Sequence, residues 1–250
     1  MAYVDGENFE GRVDDLSPSA RETILREAGT NLADLHQLGP LSGYGQIGVE
    51  DDSLTVLDTD THSKYADFRT ILLNDVEDTL DSLLDGGFFA DLADDPERFV
   101  DLVPALRDYV RETIPALPEP DPPTYNFWDY RYGNLLVDPE TGDAQAVLDW
   151  ANLSAADPAY NLAKVEANLL TPETDSAHRT ATLRKRFREA YEERRDEWVF
   201  DDETRERMHV YRLVARLDAM ACLPLWYQDA TPAERDTRAA EHREFVAQYL

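Results

Sequence analysis

The feature that most constrains the fold is an ordered series of polar residues around two short apolar segments. Asp129 is followed five residues later by Asn134, and Asp149 comes directly after the second apolar segment. Residues 134–149 alternate as a β-hairpin, with a turn at 138–143 that contains proline and glycine. Antiparallel strands lie about 4.8 Å apart, so this hairpin would bring its two ends, and with them Asn134 and Asp149, close together.

Oxygen-bearing side chains in this order suit phosphoryl transfer. That reaction needs a metal-bound nucleotide, an oriented acceptor hydroxyl and stabilisation of the charge on the moving group. Asp129 could accept the hydroxyl proton, while Asn134 and Asp149 offer the hard oxygen ligands that Mg²⁺ prefers. Taken singly, each residue has a simpler structural role, either as the cap of a turn or strand end or as a left-handed turn residue. Taken as an ordered set, they favour the functional interpretation.

The same residues resemble the catalytic region of the aminoglycoside phosphotransferase family, relatives of choline kinases within the protein-kinase-like fold. That family's catalytic loop reads His-Gly-Asp, four residues and then Asn, and its metal-binding aspartate lies in Ile-Asp-Trp; Asp129, Asn134 and Asp149 match these positions. Two further segments are similar to family motifs: Asp157-Pro158-Ala159-Tyr160-Asn161-Leu162-Ala163 and Leu32-Ala33-Asp34-Leu35-His36. The resemblance covers nearly all of the chain, but only the family's C-terminal lobe.

The resemblance implies a role for each matched position. Asp129 would be the catalytic aspartate, and Asn134 and Asp149 would bind Mg²⁺. ATP is the implied co-substrate, and a small molecule bearing a hydroxyl group is the implied acceptor. Other positions would face adenine or support the loop; these are the adenine-facing Ala2, Val4, Leu136 and Leu148, and the supporting His36 and Asp157.

This chain departs from the family pattern at several places. Phe127 and Trp128 stand where histidine and glycine are usual, and Asn161 replaces the second aspartate of the later motif. The family histidine mainly supports the loop, so repacking would tolerate an aromatic residue there. Arg131 is either a positive charge that faces the γ-phosphate during catalysis or an ordinary surface arginine.

The start of the chain bears on activity. Residues 1–12 resemble the hinge strand between the two kinase lobes, and neither a glycine-rich loop nor a lysine precedes Lys64. We therefore expect the phosphate-gripping lobe to lie upstream in a longer protein, to come from a partner chain, or to be lacking. The first hypothesis is an ATP-dependent small-molecule O-phosphotransferase, and the second is a non-catalytic kinase-like binding or regulatory module. A third is an unrelated helical protein in which the polar residues do not converge.

Apolar periodicity predicts an α+β fold that is mostly helical, a single kinase-like C-terminal-lobe domain spanning 1–250. Its expected parts are a hinge-like strand and loop at 1–12, helices over 13–117 with a surface excursion at 41–60, the catalytic loop and metal hairpin at 124–157, and helices over 158–250. The individual helices are predicted at 17–38, 65–84, 96–114, 158–169, 172–197, 202–221 and 231–249. A small hairpin is expected near 49–56, and residues 115–123, with five prolines, are expected to be non-helical.

Composition excludes several classes of partner. The 250 residues carry 52 Asp and Glu against 24 Lys and Arg, a net charge of −28, which repels nucleic acid and anionic membranes. The sequence contains no run of about 18 apolar residues, the length needed to span a membrane. The N-terminus also lacks signal-peptide features, so a cytoplasmic location is expected. The lysine-poor, acidic composition predicts a halophilic protein with a fold that weakens as salt is withdrawn.

Overall fold

The structure is a computed structural model that describes residues 4–170 and 175–250. It is an α+β fold and mostly helical, as predicted. The helices are α1 (Pro18–His36), α2 (Phe68–Leu84), α3 (Val103–Ala116), α4 (Pro158–Leu169), α5 (Ala177–Arg194), α6 (Asp202–Trp226) and α7 (Pro232–Val246). The strands are β1 (Gly45–Glu50), β2 (Ser53–Val56), β3 (Thr124–Asn126), β4 (Leu135–Val137), β5 (Ala144–Val147) and β6 (Ser154–Ala156). Among these helices none is long and apolar enough to cross a membrane.

The strands form two antiparallel sheets. Four strands pair in the order β2-β1-β6-β3, and β4 pairs with β5 as the predicted hairpin. The hairpin expected near 49–56 is confirmed, and the surface excursion expected at 41–60 stays a prediction, with most of its residues exposed or half-buried. Strand β1 pairs with β6, and Ile47 and Val56 are buried against Ala155. Strands β3 and β6 have three residues each, too few for alternation to reveal them in the sequence.

Local signals set most helix ends. Ser17 caps α1 by accepting a hydrogen bond from the backbone N–H of Ala20 at 3.1 Å, and Asp67 caps α2. The predicted helix at 96–114 begins later, at Val103, because Pro104 occupies the first turn of α3, where its missing N–H breaks no helical bond.

Two prolines lie inside helices where the sequence prediction ends them. Pro115 belongs to the last turn of α3, so the expectation that 115–123 is entirely non-helical is wrong at its first residues. Pro224 lies near the end of α6, which runs to Trp226 instead of ending at 221. In both cases few helical hydrogen bonds remain beyond the proline, so its disruption is small.

The chain divides into two compact units. The first contains residues 1–66 and 121–205, and the second contains residues 67–120 and 206–250. The expectation of a single domain stays a prediction. Every candidate site residue that the structure describes belongs to the first unit.

In the first unit, α1 packs closely on α5. A Cβ atom at Gly29 would lie 2.2 Å from the carbonyl oxygen of Phe187, so only glycine permits this approach of the two helices. The contact buries Leu25, Leu32, Phe187 and Tyr191. It fixes the C-terminal end of α1, where His36 lies.

The second unit is built from α2, α3, the later part of α6 and α7. Its core includes Leu80, Leu106 and Tyr211. Ion pairs run along its surface; Arg98, for example, contacts Asp94 at 3.2 Å and Asp236 at 2.5 Å. We find no candidate catalytic group from the sequence analysis in this unit.

Candidate active site

The candidate catalytic loop is fastened to α4 through the backbone of Phe127. The N–H of Phe127 donates to Oδ1 of Asn161 at 3.1 Å, and Nδ2 of Asn161 donates back to the carbonyl oxygen of Phe127 at 3.0 Å. Asp157 caps α4 by accepting from the N–H of Ala159 at 3.0 Å. The loop therefore begins at a fixed distance from α4, and an aspartate at 161 could not make the same pair of bonds because it has no N–H donor.

His36 lies behind this loop and contacts Asn161, the residue that holds its start. Its Nε2 is 3.1 Å from Oδ1 of Asn161, and its Nδ1 is 2.7 Å from the hydroxyl of Tyr191. Because the amide oxygen only accepts, Nε2 carries the proton and Nδ1 accepts from the tyrosine. Burial, helped by the positive charge of Arg195, lowers the pKa of His36 to about 3. The imidazole is thus a neutral connector between α1, α4 and α5.

Asp129 is held by two side chains from the same loop. Nδ2 of Asn134 donates at 2.9 Å both to Oδ2 and to the backbone oxygen of Asp129. Nε of Arg131 donates to the other carboxylate oxygen, Oδ1, at 2.8 Å. The Asp129 side chain is only 14% exposed. The five-residue interval from Asp129 to Asn134 is therefore the span of one closed loop.

Asp149 lies across the hairpin from Asn134. The N–H of Leu148 donates to the backbone oxygen of Asn134 at 2.8 Å, which extends the ladder of β4 and β5 by one bond. Asp149 itself is exposed and has left-handed backbone angles, φ 57° and ψ 59°. This conformation is unfavourable for a residue other than glycine and persists where neighbouring contacts impose it.

Trp150 supplies such contacts. Its ring stacks on Phe127 with centroids 4.4 Å apart, and its Nε1 donates to the backbone oxygen of Val147 at 3.0 Å. The aromatic residue at 127, which departs from the family histidine, thus supports the turn at Asp149 by stacking. The structure brings Asp129, Asn134 and Asp149 to one end of the β4-β5 hairpin.

The donor set at this end fits a magnesium ion. In residues 4–170 and 175–250, neither Oδ1 of Asn134 nor the carboxylate of Asp149 has a hydrogen-bonding or ionic partner. Within the same ranges no three His, Cys, Asp or Glu side chains cluster as a metal site. A site with one amide oxygen and one carboxylate suits Mg²⁺, which keeps several waters and substrate phosphates among its ligands.

Comparison with known families covers this part of the chain. A model of the phosphotransferase enzyme family matches residues 1–211, which include the whole candidate site. The chain belongs to the phosphotransferase enzyme family. The predicted resemblance to the aminoglycoside phosphotransferases is thereby confirmed. A search of curated proteins found no match.

In this family member the N-terminal segment contacts the catalytic loop, a contact that the sequence analysis did not predict. Nη1 of Arg131 lies 3.0 Å from Oε1 of Glu10. Arg131 folds over Gly133, where an added Cβ would lie 2.1 Å from Nη1, so a larger residue would displace the end of the Arg131 side chain. Burial alone would lower the pKa of Arg131, but the charges of Glu10 and Asp129 outweigh it and raise that pKa. No periodicity or motif marks Glu10 as a partner of the loop.

The predicted adenine-facing residues are only partly brought together. Leu136 pairs with Ala146 in the β4-β5 hairpin. Because side chains alternate along each strand, positions 134, 136 and 148 lie on the same side of this hairpin. Leu136 is partly buried, and Leu148 is 41% exposed. Glu7 forms an antiparallel bridge with Val137, which brings the N-terminal segment beside β4. Val4 is exposed and lies outside any strand, and Ala2 lies outside the described residues.

Proposed function

We propose that this phosphotransferase moves the γ-phosphoryl group of ATP to a hydroxyl group of a small molecule. The observation that carries the proposal is the pair of hydrogen bonds from the Asn134 amide to Asp129. These bonds leave the amide oxygen of Asn134 for a metal while they orient the aspartate. Asn134 would thus orient the base with its amide nitrogen and bind the metal with its amide oxygen, and phosphoryl transfer depends on such positioning.

In the proposed reaction the acceptor oxygen attacks the γ-phosphorus. A new P–O bond forms to the acceptor, the bond from the γ-phosphorus to the bridging oxygen breaks, and ADP leaves with that electron pair. The acceptor's proton passes to the Asp129 carboxylate. Mg²⁺, when bound, neutralises charge on the nucleotide phosphates. Asn134 and Asp149 would hold that ion.

Other residues have supporting parts in this proposal. Arg131 places a positive charge beside Asp129 and would stabilise the negative charge of the transferred group. Leu136 and Leu148, with Val4 and Ala2, would contact the adenine ring. His36 and Asp157 keep the catalytic loop in place through α4.

A second candidate function is nucleotide binding without transfer. The observation that favours it is that both carboxylate oxygens of Asp129 already accept hydrogen bonds, from Arg131 and Asn134. An aspartate held this firmly could serve to shape the loop and not to accept a proton. In that case Mg²⁺ and ATP would bind, but no acceptor would be phosphorylated.

The decisive experiment measures both properties on the full chain in molar KCl. Calorimetry would give the affinity for ATP with and without Mg²⁺ for the wild type and for Asp149→Ala. Glu140→Ala is the matched control, since Glu140 is an exposed carboxylate in the turn of the same hairpin. We expect Mg²⁺-dependent binding that Asp149→Ala weakens at least tenfold and Glu140→Ala leaves unchanged. Equal binding by wild type and Asp149→Ala would remove Asp149 from the metal site.

Transfer is then tested with γ-labelled ATP and a panel of hydroxyl-bearing small molecules. Labelled product from the wild type, lost in Asp129→Asn, supports the enzyme. Binding without transfer across the panel supports the non-catalytic function.

A further inference from the structure

Asn8 contacts the turn of the candidate catalytic loop that runs from Arg131 to Asn134. Its Nδ2 donates to the backbone oxygen of Gly133 at 2.6 Å and to that of Tyr132 at 3.2 Å. A flipped amide would place its oxygen against both carbonyl oxygens, so the contacts themselves settle which atom is the nitrogen. One side chain thus holds two successive carbonyl groups of the turn, and the proposed reaction does not yet use it.

This turn places the two side chains that hold Asp129. The N–H of Asn134 donates to the backbone oxygen of Arg131 at 2.9 Å, which closes the turn. The side chains at its two ends, those of Arg131 and Asn134, donate to the two carboxylate oxygens of Asp129. A rotation of the peptide groups inside the turn would therefore move both donors relative to Asp129. Asn8 opposes that rotation, because it would break the bonds from its amide.

Asn8 is itself held by its neighbours along the chain. Glu7 exchanges two backbone hydrogen bonds with Val137, at 2.9 and 3.0 Å, and Phe9 is buried. The N–H of Glu10 donates to Oδ1 of Asn8 at 3.0 Å, which sets the direction of the amide. These contacts do not involve the turn. The position of Asn8 is therefore fixed independently, and its two bonds impose a geometry on the turn.

We propose that Asn8 is a positioning residue for phosphoryl transfer. It fixes the turn so that Arg131 and Asn134 meet the carboxylate of Asp129 in the orientation that receives the acceptor's proton. The inference rests on the proposed function, since it concerns the same site, but Asn8 need not touch a substrate. A displacement of about 1 Å at a reacting group can cost about 10²-fold in rate, so hydrogen bonds outside the site can control transfer.

Glu10 lies in the same segment but has a smaller part. Its carboxylate lies 3.0 Å from Nη1 of Arg131, and the side chains are 56% and 38% exposed. Exposed ion pairs contribute little to stability, and molar salt screens them further. The bonds from Asn8 join an uncharged amide to carbonyl groups and are half-buried, so salt affects them less. At high salt Asn8 is therefore the stronger link between this segment and the loop.

The test compares Asn8→Asp with Asn74→Asp on the full chain in molar KCl. Asn8→Asp nearly keeps the shape of the side chain but replaces its N–H donors with a carboxylate that faces two carbonyl oxygens. Asn74 is exposed in the second unit, so the control makes the same chemical change away from the site. The first measurement is NMR of asparagine side chains labelled with ¹⁵N, without nucleotide or metal. The signal of Asn134 is identified by its absence in Asn134→Ala.

The second measurement separates kcat from binding. We expect the side-chain N–H protons of Asn134 to exchange with water at least about tenfold faster in Asn8→Asp than in the wild type, and at the wild-type rate in Asn74→Asp. For an acceptor that the wild type phosphorylates, kcat should fall at least about tenfold in Asn8→Asp. The Kd for ATP with Mg²⁺ should change less than about threefold, because Asp149 still holds the ion. A merely structural role would not separate kcat from binding in this way.

Asn8→Ala is a second variant that decides the outcome if the carboxylate of Asn8→Asp prevents folding, which circular dichroism would reveal. Water can bond the two carbonyl oxygens in Asn8→Ala, so we expect smaller changes in the same direction. Wild-type exchange of the Asn134 protons in the folded variants, an unchanged kcat, or equal losses of kcat and ATP affinity would each overturn the inference. A wild type that phosphorylates no acceptor would instead refute the proposed function, and the exchange measurement would still decide whether Asn8 positions Asn134.

Discussion

Asn134 donates two hydrogen bonds from one amide nitrogen to Asp129, one to the backbone oxygen and one to Oδ2, each at 2.9 Å. A single side chain therefore closes the loop that begins at Asp129 and ends at the first residue of the hairpin ladder. The position of Asn134 in the sequence is fixed by the length of that loop, and its amide oxygen accepts no hydrogen bond from the described residues.

The variants Asn134→Asp and Asn134→Ala separate the structural role of this residue from its proposed metal-binding role. Asn134→Asp keeps an oxygen ligand but places a second carboxylate against Oδ2 of Asp129. Asn134→Ala removes both functions and leaves buried acceptors unpaired, which we expect to destabilise the fold by about 1–3 kcal/mol. Urea denaturation would measure both variants, and Asn134→Asp should be at least as destabilised as Asn134→Ala. A fully stable Asn134→Asp would contradict the assigned hydrogen bonds.

Asp129→Asn tests the proposed base. The amide cannot take up the acceptor's proton, so kcat should fall by about 10²–10⁴-fold. The affinity for ATP with Mg²⁺ should change little, because Asp129 is not assigned to the metal. Steady-state kinetics and calorimetry on the same preparation distinguish these effects. An unchanged kcat would show that another group accepts the proton.

Arg131→Met tests the charge beside Asp129, and Glu10→Gln is its control. Both variants break the contact between Arg131 and Glu10 at 3.0 Å, but only the first removes the positive charge. If Arg131 faces the transferred phosphoryl group, Arg131→Met should lower kcat on the order of 10²-fold or more and Glu10→Gln should not. Equal, small effects in both variants would make Arg131 a structural residue that joins the N-terminal segment to the loop.

His36 should make stability depend on pH in a defined range. Its pKa is about 3 in the folded protein and 6.5 ordinarily, so between these values the unfolded chain binds a proton that the folded chain does not. The free energy of unfolding should be unaffected by this group above pH 6.5 and should fall by up to about 1.4 kcal/mol per pH unit below it.

The contribution of His36 to the pH dependence of the free energy of unfolding can be separated from that of other groups. Between about pH 6.5 and pH 5, His36→Gln should reduce the slope of the unfolding free energy against pH by the contribution of one bound proton. His178→Gln, at an exposed histidine, controls for the loss of an imidazole. His242 in the second unit also has its pKa lowered by burial to about 3, so the double variant His36→Gln/His242→Gln should lose roughly twice as much of the slope. An identical slope in wild type and His36→Gln would mean that the imidazole is hydrated in solution.

The net charge of −28 predicts that salt stabilises the fold. At low ionic strength the carboxylates repel one another, and the Debye length shrinks from about 10 Å at 0.1 M to about 3 Å at 1 M salt. We expect the thermal midpoint to rise by about 10 °C or more over that range of KCl. Sucrose, which stabilises without screening, is the control additive. A midpoint that does not respond to KCl would refute the halophilic prediction.

Much of the local structure could be predicted from particular residues. Ser17 and Asp157 cap helices that begin at a following proline, and the apolar runs on both sides of the turn at 138–143 form the expected hairpin. These signals are local: a cap needs one hydroxyl or carboxylate within a few residues of the helix start, and a hairpin needs a turn between two apolar segments. That Asp129, Asn134 and Asp149 lie at one end of the hairpin could be predicted for the same reason, since a short loop and the hairpin join them.

The pairing of distant segments could not be predicted. Strand β1 joins β6, and Glu7 joins Val137, through backbone bonds that carry no side-chain pattern. The contacts of His36 with Asn161, of Arg131 with Glu10 and of Asn8 with Gly133 also depend on which segments pack together. A periodic pattern states that a face is buried but not which surface covers it.

The sequence by itself therefore determined the family, the mostly helical α+β fold and the set of polar residues at the hairpin. Only the tertiary structure decided how these residues are held: that Asn134 orients Asp129, that Phe127 supports the left-handed turn at Asp149 through Trp150, and that Asn8 contacts the turn before Asn134. The physical reason is the separation along the chain between the residues that interact. Caps, turns and strand alternation are set by neighbours along the chain, whereas the packing of side chains around a site is set by all the elements that meet there.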